Sequence, residues 1–306
     1  VFSFFTQVLT GLFTAQGDSK TPLKANFFGL VLNMILDPLL ILGVGPFPRL
    51  EVTGAAVATV TAQIVVLLTL VTEIIRDHGE SNILRQVRLI ASPELSHLKK
   101  VFQIGIPTAL QGSIYCIISM VLTRMVSGFG AGAIAVQRVG GQIEALSWNM
   151  ADGFGSALNA FMGQNYGAKK TGRIREGYRI SLRLMVAWTT VITFAFLFFP
   201  GPISSLFFHE DEVIRLSIDY LQIIGFSEIL LSVEMLTIGA LSGLGRTKLC
   251  SIISIIMTVM RIPLAMLLCG TALGLNGIWW AITLSSVSKG IVFYIAFQYI
   301  CRHSLD

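Results

Sequence analysis

The chain has 306 residues, of which 54% are hydrophobic and only 13% charged, and a formal net charge of +5. A soluble domain needs roughly a quarter of its residues charged to cover its surface, so a water-soluble globule is excluded. Mean hydropathy is +0.75, and the apolar runs of about 20 residues are each long enough to cross a ~30 Å hydrocarbon layer as a helix.

The runs do not alternate with period two, which excludes a β-barrel and predicts an all-α polytopic membrane protein. Nine spans are predicted, roughly 1–16, 22–44, 53–75, 101–127, 131–163, 179–206, 213–243, 248–270 and 275–300. The first lacks a basic n-region and a small-residue cleavage site, and more spans follow, so it is not a signal peptide. Val1 stands where an initiator methionine would, which predicts an N-terminal truncation.

The second span contains "LNMILDPLLIL", with Asn33 and Asp37 four apart and therefore on one helix face. An unpaired carboxylate in hydrocarbon costs roughly 3 kcal/mol or more. Thr59, near the start of the third span, can reach a similar depth. A carboxylate, an amide oxygen and a hydroxyl suit Na⁺, and a desolvated aspartate suits a proton. The alternative is structural: Asp37 caps the backbone N–H groups freed where Pro38 breaks the hydrogen-bond ladder.

Residues 76–100 are hydrophilic and predict a short amphipathic interfacial helix. Beyond them the fourth span carries Gln111 and Tyr115, and the fifth, "GGQIEALSWNMADGF", carries Gln142, Glu144, Trp148, Asn149 and Asp152. Glu144 and Asp152 are eight apart and fall on one side of a helix. Glu234 lies in the seventh span, Arg261 in the eighth and Lys289 in the ninth. Such groups either line a watery cavity that handles substrate or protons, or form a structural network closed by Arg261 and Lys289. Tyr115 and Trp148 are the aromatics best suited to attract an organic cation. Trp279 and Trp280, at the start of a span, read as an interfacial belt.

Lysines and arginines gather on alternate connections, among them Lys20, Lys24, Arg76, Lys99, Lys169, Lys170, Arg246, Lys248 and Arg302. Their placement in loops points to membrane topology and not to nucleic acid. By the positive-inside rule that side is cytoplasmic, the C-terminus included. The four cysteines are scattered along apolar runs with no CxxC and read as small hydrophobes.

The chain also repeats itself. "GLFTAQGDSK" at 11–20 aligns with "GALSGLGRTK" at 239–248. "NMILDPLL" then aligns with "VMRIPLAM", and "GAAVAT" at 54–59 with "GIWWAI" at 277–282. Both basic turns lie on one side, so the copies run parallel about an axis along the membrane normal, as in two-lobed transporters.

Together "QGDSKTPLKANFFGLVLNMILDPLLILG", "GAAVAT" and "GQNYGAKKTGRIREGYR" at 163–179 resemble the multidrug and toxic compound extrusion (MATE) family, and its bacterial multidrug branch in particular. The resemblance implies a fold of twelve helices in two six-helix lobes, of which this chain is helices four to twelve. Residues 1–75 are then the last three helices of the N-terminal lobe, 76–100 a cytoplasmic linker, and 101–306 the C-terminal lobe. It also implies efflux of small organic cations or amphiphiles in exchange for Na⁺ or H⁺, without another cofactor.

In relatives, Asn, Asp and Thr at positions resembling Asn33, Asp37 and Thr59 form a cation-responsive site. The expected setting is the cytoplasmic (inner) membrane of a prokaryote, as a monomer in the lipid bilayer. A lipid-linked oligosaccharide flippase of the same superfamily is the alternative, kept open by Arg261 and Lys289; a net acidic cavity favours cationic cargo, a net basic one pyrophosphate-linked lipid. An intramembrane enzyme is excluded because all four histidines lie in loops or tails, none paired for metal or nucleophile. "GQNYGAKK" lacks the GxxxxGK[ST] spacing of a phosphate loop.

Overall fold

A computed structural model describes residues 1–44, 48–76 and 95–303. Among these residues the regular structure is helical throughout: α1 Phe2–Ala15, α2 Lys20–Leu42, α3 Glu51–Arg76, α4 Leu95–Ser127, α5 Ala131–Gly167, α6 Thr171–Phe198, α7 Pro200–Phe207, α8 Asp211–Gly225, α9 Glu228–Gly243, α10 Thr247–Val259, α11 Arg261–Cys269 and α12 Leu275–His303. The interfacial helix expected within 76–100 falls largely on residues outside those described.

Nine predicted runs become twelve helices because three of them are broken. The sixth divides at Phe199, where Pro200 opens α7 at the position a proline tolerates best. The seventh divides into α8 and α9, which bend by 50°. The eighth divides at Met260, because Pro263 has no N–H to return to the carbonyl of Val259.

Among the described residues six stretches are long and apolar enough to cross a membrane, or seven with the bent pair as one span. The two expected spans that fall short do so for different reasons. Helix α1 has only 14 residues. Helix α5 has 37, but Arg138, Glu144, Asp152 and its amides make it too polar. A helix of that kind spans a membrane only where other protein or a cavity covers its polar face.

The chain forms two compact units, Val1–Pro93 and Glu94–Asp306. In the first, Phe13, Ala25, Val66 and Leu70 form a small core. Helices α2 and α3 approach closely: a Cβ on Gly29 would strike Val66, and one on Gly54 would strike the Leu40 carbonyl. Small residues at such contacts let van der Waals packing hold helices together where lipid removes the hydrophobic drive.

In the second unit one apolar cluster gathers Met162, Met185, Leu236, Phe293 and Phe297. Another gathers Leu122, Val136, Leu221, Ile278 and Trp279. Trp279 is fully buried and meets Tyr220 edge-on at 5.2 Å, so it is core and not interfacial belt as expected. Its place at a span's start is offset by α8 packing across it. Large apolar side chains such as Phe27, Leu184, Val191 and Leu267 stay exposed, which suits helices bathed in lipid.

The repeat is visible residue by residue. Gly17 and Gly245, equivalent in the alignment, both take positive φ, 90° and 75°. Each sits in the same helix-ending turn: Asp18 N–H donates to Phe13 O at 3.0 Å, and Arg246 N–H donates to Leu241 O at 2.9 Å. Gly54 and Gly277 are likewise equivalent. Each opens a helix against the backbone of the preceding one, at Leu40 and Leu268 respectively. The turn at 167–170 closes α5 in the same way, with Lys169 at φ 56°.

Candidate functional site

The second unit carries an open cavity of about 760 Å³. Helix α5 supplies one wall, because Gly141, Glu144, Ala145, Trp148, Asp152 and Gly155 recur every three or four residues on one stripe. Gln111 and Tyr115 come from α4, Glu234 and Met235 from α9, Ser254 and Thr258 from α10, Arg261 from α11, and Ser286 and Lys289 from α12.

Eight of the ten residues expected there therefore meet: Gln111, Tyr115, Glu144, Trp148, Asp152, Glu234, Arg261 and Lys289. Gln142 and Asn149 do not, and this corrects the expectation. At about 100° per residue the lining residues fall within about 60° of Gly141, whereas Gln142 and Asn149 lie about 100° and 80° from it on one side, and both are exposed outside the lining.

Lys289 Nζ donates to Glu234 Oε1 at 2.7 Å, both groups buried. Arg261, also buried, donates from Nε to Ser285 Oγ at 3.2 Å and from Nη2 to Ser286 Oγ at 2.9 Å. Ser285 donates onward to the Met257 carbonyl at 2.8 Å. Tyr220 points its hydroxyl at Glu144 Oε2, 3.4 Å away. Asp152, Tyr115 and Trp148 remain exposed at the cavity. Three carboxylates thus face two cations in the wall, and the Lys289–Glu234 pair cancels, leaving Glu144 and Asp152 against Arg261.

Sequence reasoning missed three contributors. Tyr220 and the serine pair 285–286 sit among apolar neighbours and carry no charge signal. Glu228 is fully buried at the first residue of α9, with Ser147 of α5 beside it and Glu144 in electrostatic range. A carboxylate inside the run "LQIIGFSEILLS" is as conspicuous as Asp37 and could have been found by the same argument.

In the first unit, Asn33 Nδ2 lies 3.4 Å from Asp37 Oδ1 and both are half-buried. Thr59 is exposed, and its hydroxyl donates to the Ala55 carbonyl of its own helix at 2.9 Å.

A model of the MatE family matches residues 107–267. The chain is 30% identical to the "Probable multidrug resistance protein NorM" of Thermotoga maritima over 89% of its own length and 58% of the relative's. It is 28% identical to the "FAD transporter" of Shewanella oneidensis, over 94% of this chain and 63% of that protein. Among solved structures, a MATE protein in the straight conformation superposes with a TM-score of 0.86 at 22% identity, covering 97% of this chain and 66% of the other. A Pyrococcus furiosus MOP superfamily transporter gives 0.85 at 24%, covering 97% and 66%. Its published description is "Reverse polarity of binding pocket suggests different function". The chain spans less than two thirds of the length of these relatives.

Proposed function

The chain belongs to the MatE family of membrane transporters, and on that premise we propose that the protein is a secondary active multidrug efflux antiporter, exporting cationic or amphipathic organic compounds in exchange for Na⁺ or H⁺. The observation that carries this reading is the make-up of the cavity wall. Tyr115, Trp148 and Met235 offer π faces and a polarisable sulfur to varied apolar shapes, while Glu144 and Asp152 outweigh the unpaired Arg261. The names of the multidrug resistance relatives support it.

In the proposed cycle, an N-terminal lobe whose last three helices are residues 1–75 and a C-terminal lobe of residues 101–306, joined by a cytoplasmic linker at 76–100, rock to expose the cavity alternately inward and outward. A cation or proton at Asn33 and Asp37, with Thr59 as a third oxygen donor, favours one arrangement of the lobes. The organic cargo favours the other, so each drives release of its counterpart. The protein works as a monomer in the cytoplasmic membrane of a prokaryote, with its C-terminus inside.

A phosphate-bearing cargo is the second reading, whether a flavin dinucleotide or a lipid-linked oligosaccharide. It is favoured by Arg261, which reaches the cavity with serine hydroxyls as its hydrogen-bond partners.

Export of an ethidium-like dye from proteoliposomes, with Na⁺ and H⁺ gradients imposed separately, tests the first reading. One gradient is expected to drive export, and Asp37→Asn in the intact protein is expected to abolish it. Gradient-independent dye movement would overturn antiport. Transport of FAD in place of the dye would support the second reading.

A further inference from the structure

Away from the main cavity, a second hollow of about 380 Å³ opens between the N-terminal part of α6 and the C-terminal end of α12. Arg175, Arg179 and Arg302 line it, and no carboxylate among the described residues does. Its floor is aromatic: Tyr178 stacks on Phe297 with ring centroids 3.8 Å apart. Leu182 and Tyr294 complete the apolar surface. Arg175 is held in place, since its Nη2 donates to the Cys301 carbonyl at 2.7 Å near the end of α12. Arg179 follows one turn later on the same helix face, and Arg183 one turn after that, both exposed. Glu176, the nearest carboxylate in sequence, is exposed and outside the lining.

The hollow lies where hydrocarbon gives way to headgroups: the apolar stretch of α6 begins just after these arginines, and that of α12 ends just before Arg302. From its rim the exposed apolar side chains Ile295 and Ile291, each two turns below the lining residues Arg302 and Gln298, continue along α12 toward the middle of that span.

We infer that this hollow binds the headgroup phosphate of an anionic phospholipid. Planar guanidiniums match phosphate oxygens in paired hydrogen bonds. Basic pockets between transmembrane helices are suited to acidic headgroups. The aromatic floor takes the glycerol region, and the exposed apolar face of α12 below Gln298 and Arg302 takes the acyl chains. A free phosphate solute would use the arginines but leave that apolar face without a role. The site is independent of which cargo the central cavity carries.

Binding of phosphatidylglycerol, phosphatidylcholine and water-soluble glycerol phosphate to the detergent-solubilised intact protein tests the assignment, read by native mass spectrometry and titration. Phosphatidylglycerol is expected to bind saturably and well ahead of the other two. Arg179→Gln/Arg302→Gln is expected to weaken it by about 30-fold, at about fivefold per interfacial arginine; Arg175 is left intact because it anchors α12. The control pair Arg246→Gln/Lys248→Gln, in a basic turn elsewhere, should leave affinity unchanged. If the double variant is not monodisperse, Arg302→Gln alone should show the fivefold loss. Retained preference in the variants, an equal loss in the control, or glycerol phosphate binding as tightly as lipid would each overturn the proposal.

Discussion

Lys289 of α12 and Glu234 of α9 form a buried ion pair at 2.7 Å in the wall of the main cavity. Each makes the other tolerable in an apolar bundle, since removing one partner of a buried pair leaves an uncompensated charge at a cost of about 3–5 kcal/mol.

Lys289→Met is therefore expected to lower the thermal unfolding midpoint sharply. Lys289→Met/Glu234→Gln should recover most of the loss, because two neutral groups need no counter-charge. Scanning fluorimetry of the purified variants checks this. Equal midpoints for the single and double variants would show that the pair is not what keeps these charges inside.

The cavity acids make a different prediction. Glu144→Gln and Asp152→Asn should each raise the KM for a cationic dye by about fivefold, equivalent to ~1 kcal/mol for charges about 4 Å apart in water-like surroundings. Gln142→Ala and Asn149→Ala, off the lining stripe, should leave KM unchanged in the same vesicle assay.

Close helix packing is tested at Gly239, where a Cβ would overlap the Gly155 carbonyl. Gly239→Val is expected to destabilise by about 1–3 kcal/mol or more through overpacking. Gly153→Ala, with open space around it, should be neutral or gain up to ~1 kcal/mol from helix propensity. Unfolding midpoints of the two variants separate the cases.

Asp18 gives a pH-dependent prediction outside the membrane. The Thr21 side chain, and after it the Thr21 and Lys20 amides, which donate to Oδ1 at 3.1 and 3.0 Å, hold its carboxyl below the usual carboxylate range against an opposing effect of burial. Because the folded value is depressed, the stabilisation is fully present above the unfolded value and is lost as pH falls through the folded one. Asp18→Ala should cost about 1 kcal/mol at neutral pH, as loss of a helix cap does. The gap from the unaltered protein should begin to close below about pH 4. A gap that stays constant with pH would mean that the carboxylate charge is not what caps α2.

Fold class was legible because lipid restricts the backbone so severely: long apolar runs without period two leave little but helices. The turn glycines were legible too, since Gly17 and Gly245 stand where an L side chain is strained. The helix breaks were harder to see. Pro263 marks one, but the bend at Phe226–Ser227 has only Gly225 as a hint. Gln142 and Asn149 were misjudged because polarity was counted without phase around the helix. Thr59 illustrates another limit: a hydroxyl inside a helix has its own carbonyl four residues back as a ready partner.

The glycine contacts between α5 and α9 have a mechanical side. Gly155 against Gly239, and Asn159 against Gly243, bring the two backbones together with no side chain between them to act as a bearing. Close-packed interiors are hard to compress and pass strain on to their neighbours. Glu144 and Asp152 on one helix and Glu234 on the other are thus set at a spacing fixed by main chain against main chain, so a side chain added at Gly239 or Gly243 would push the carboxylates of the two helices apart.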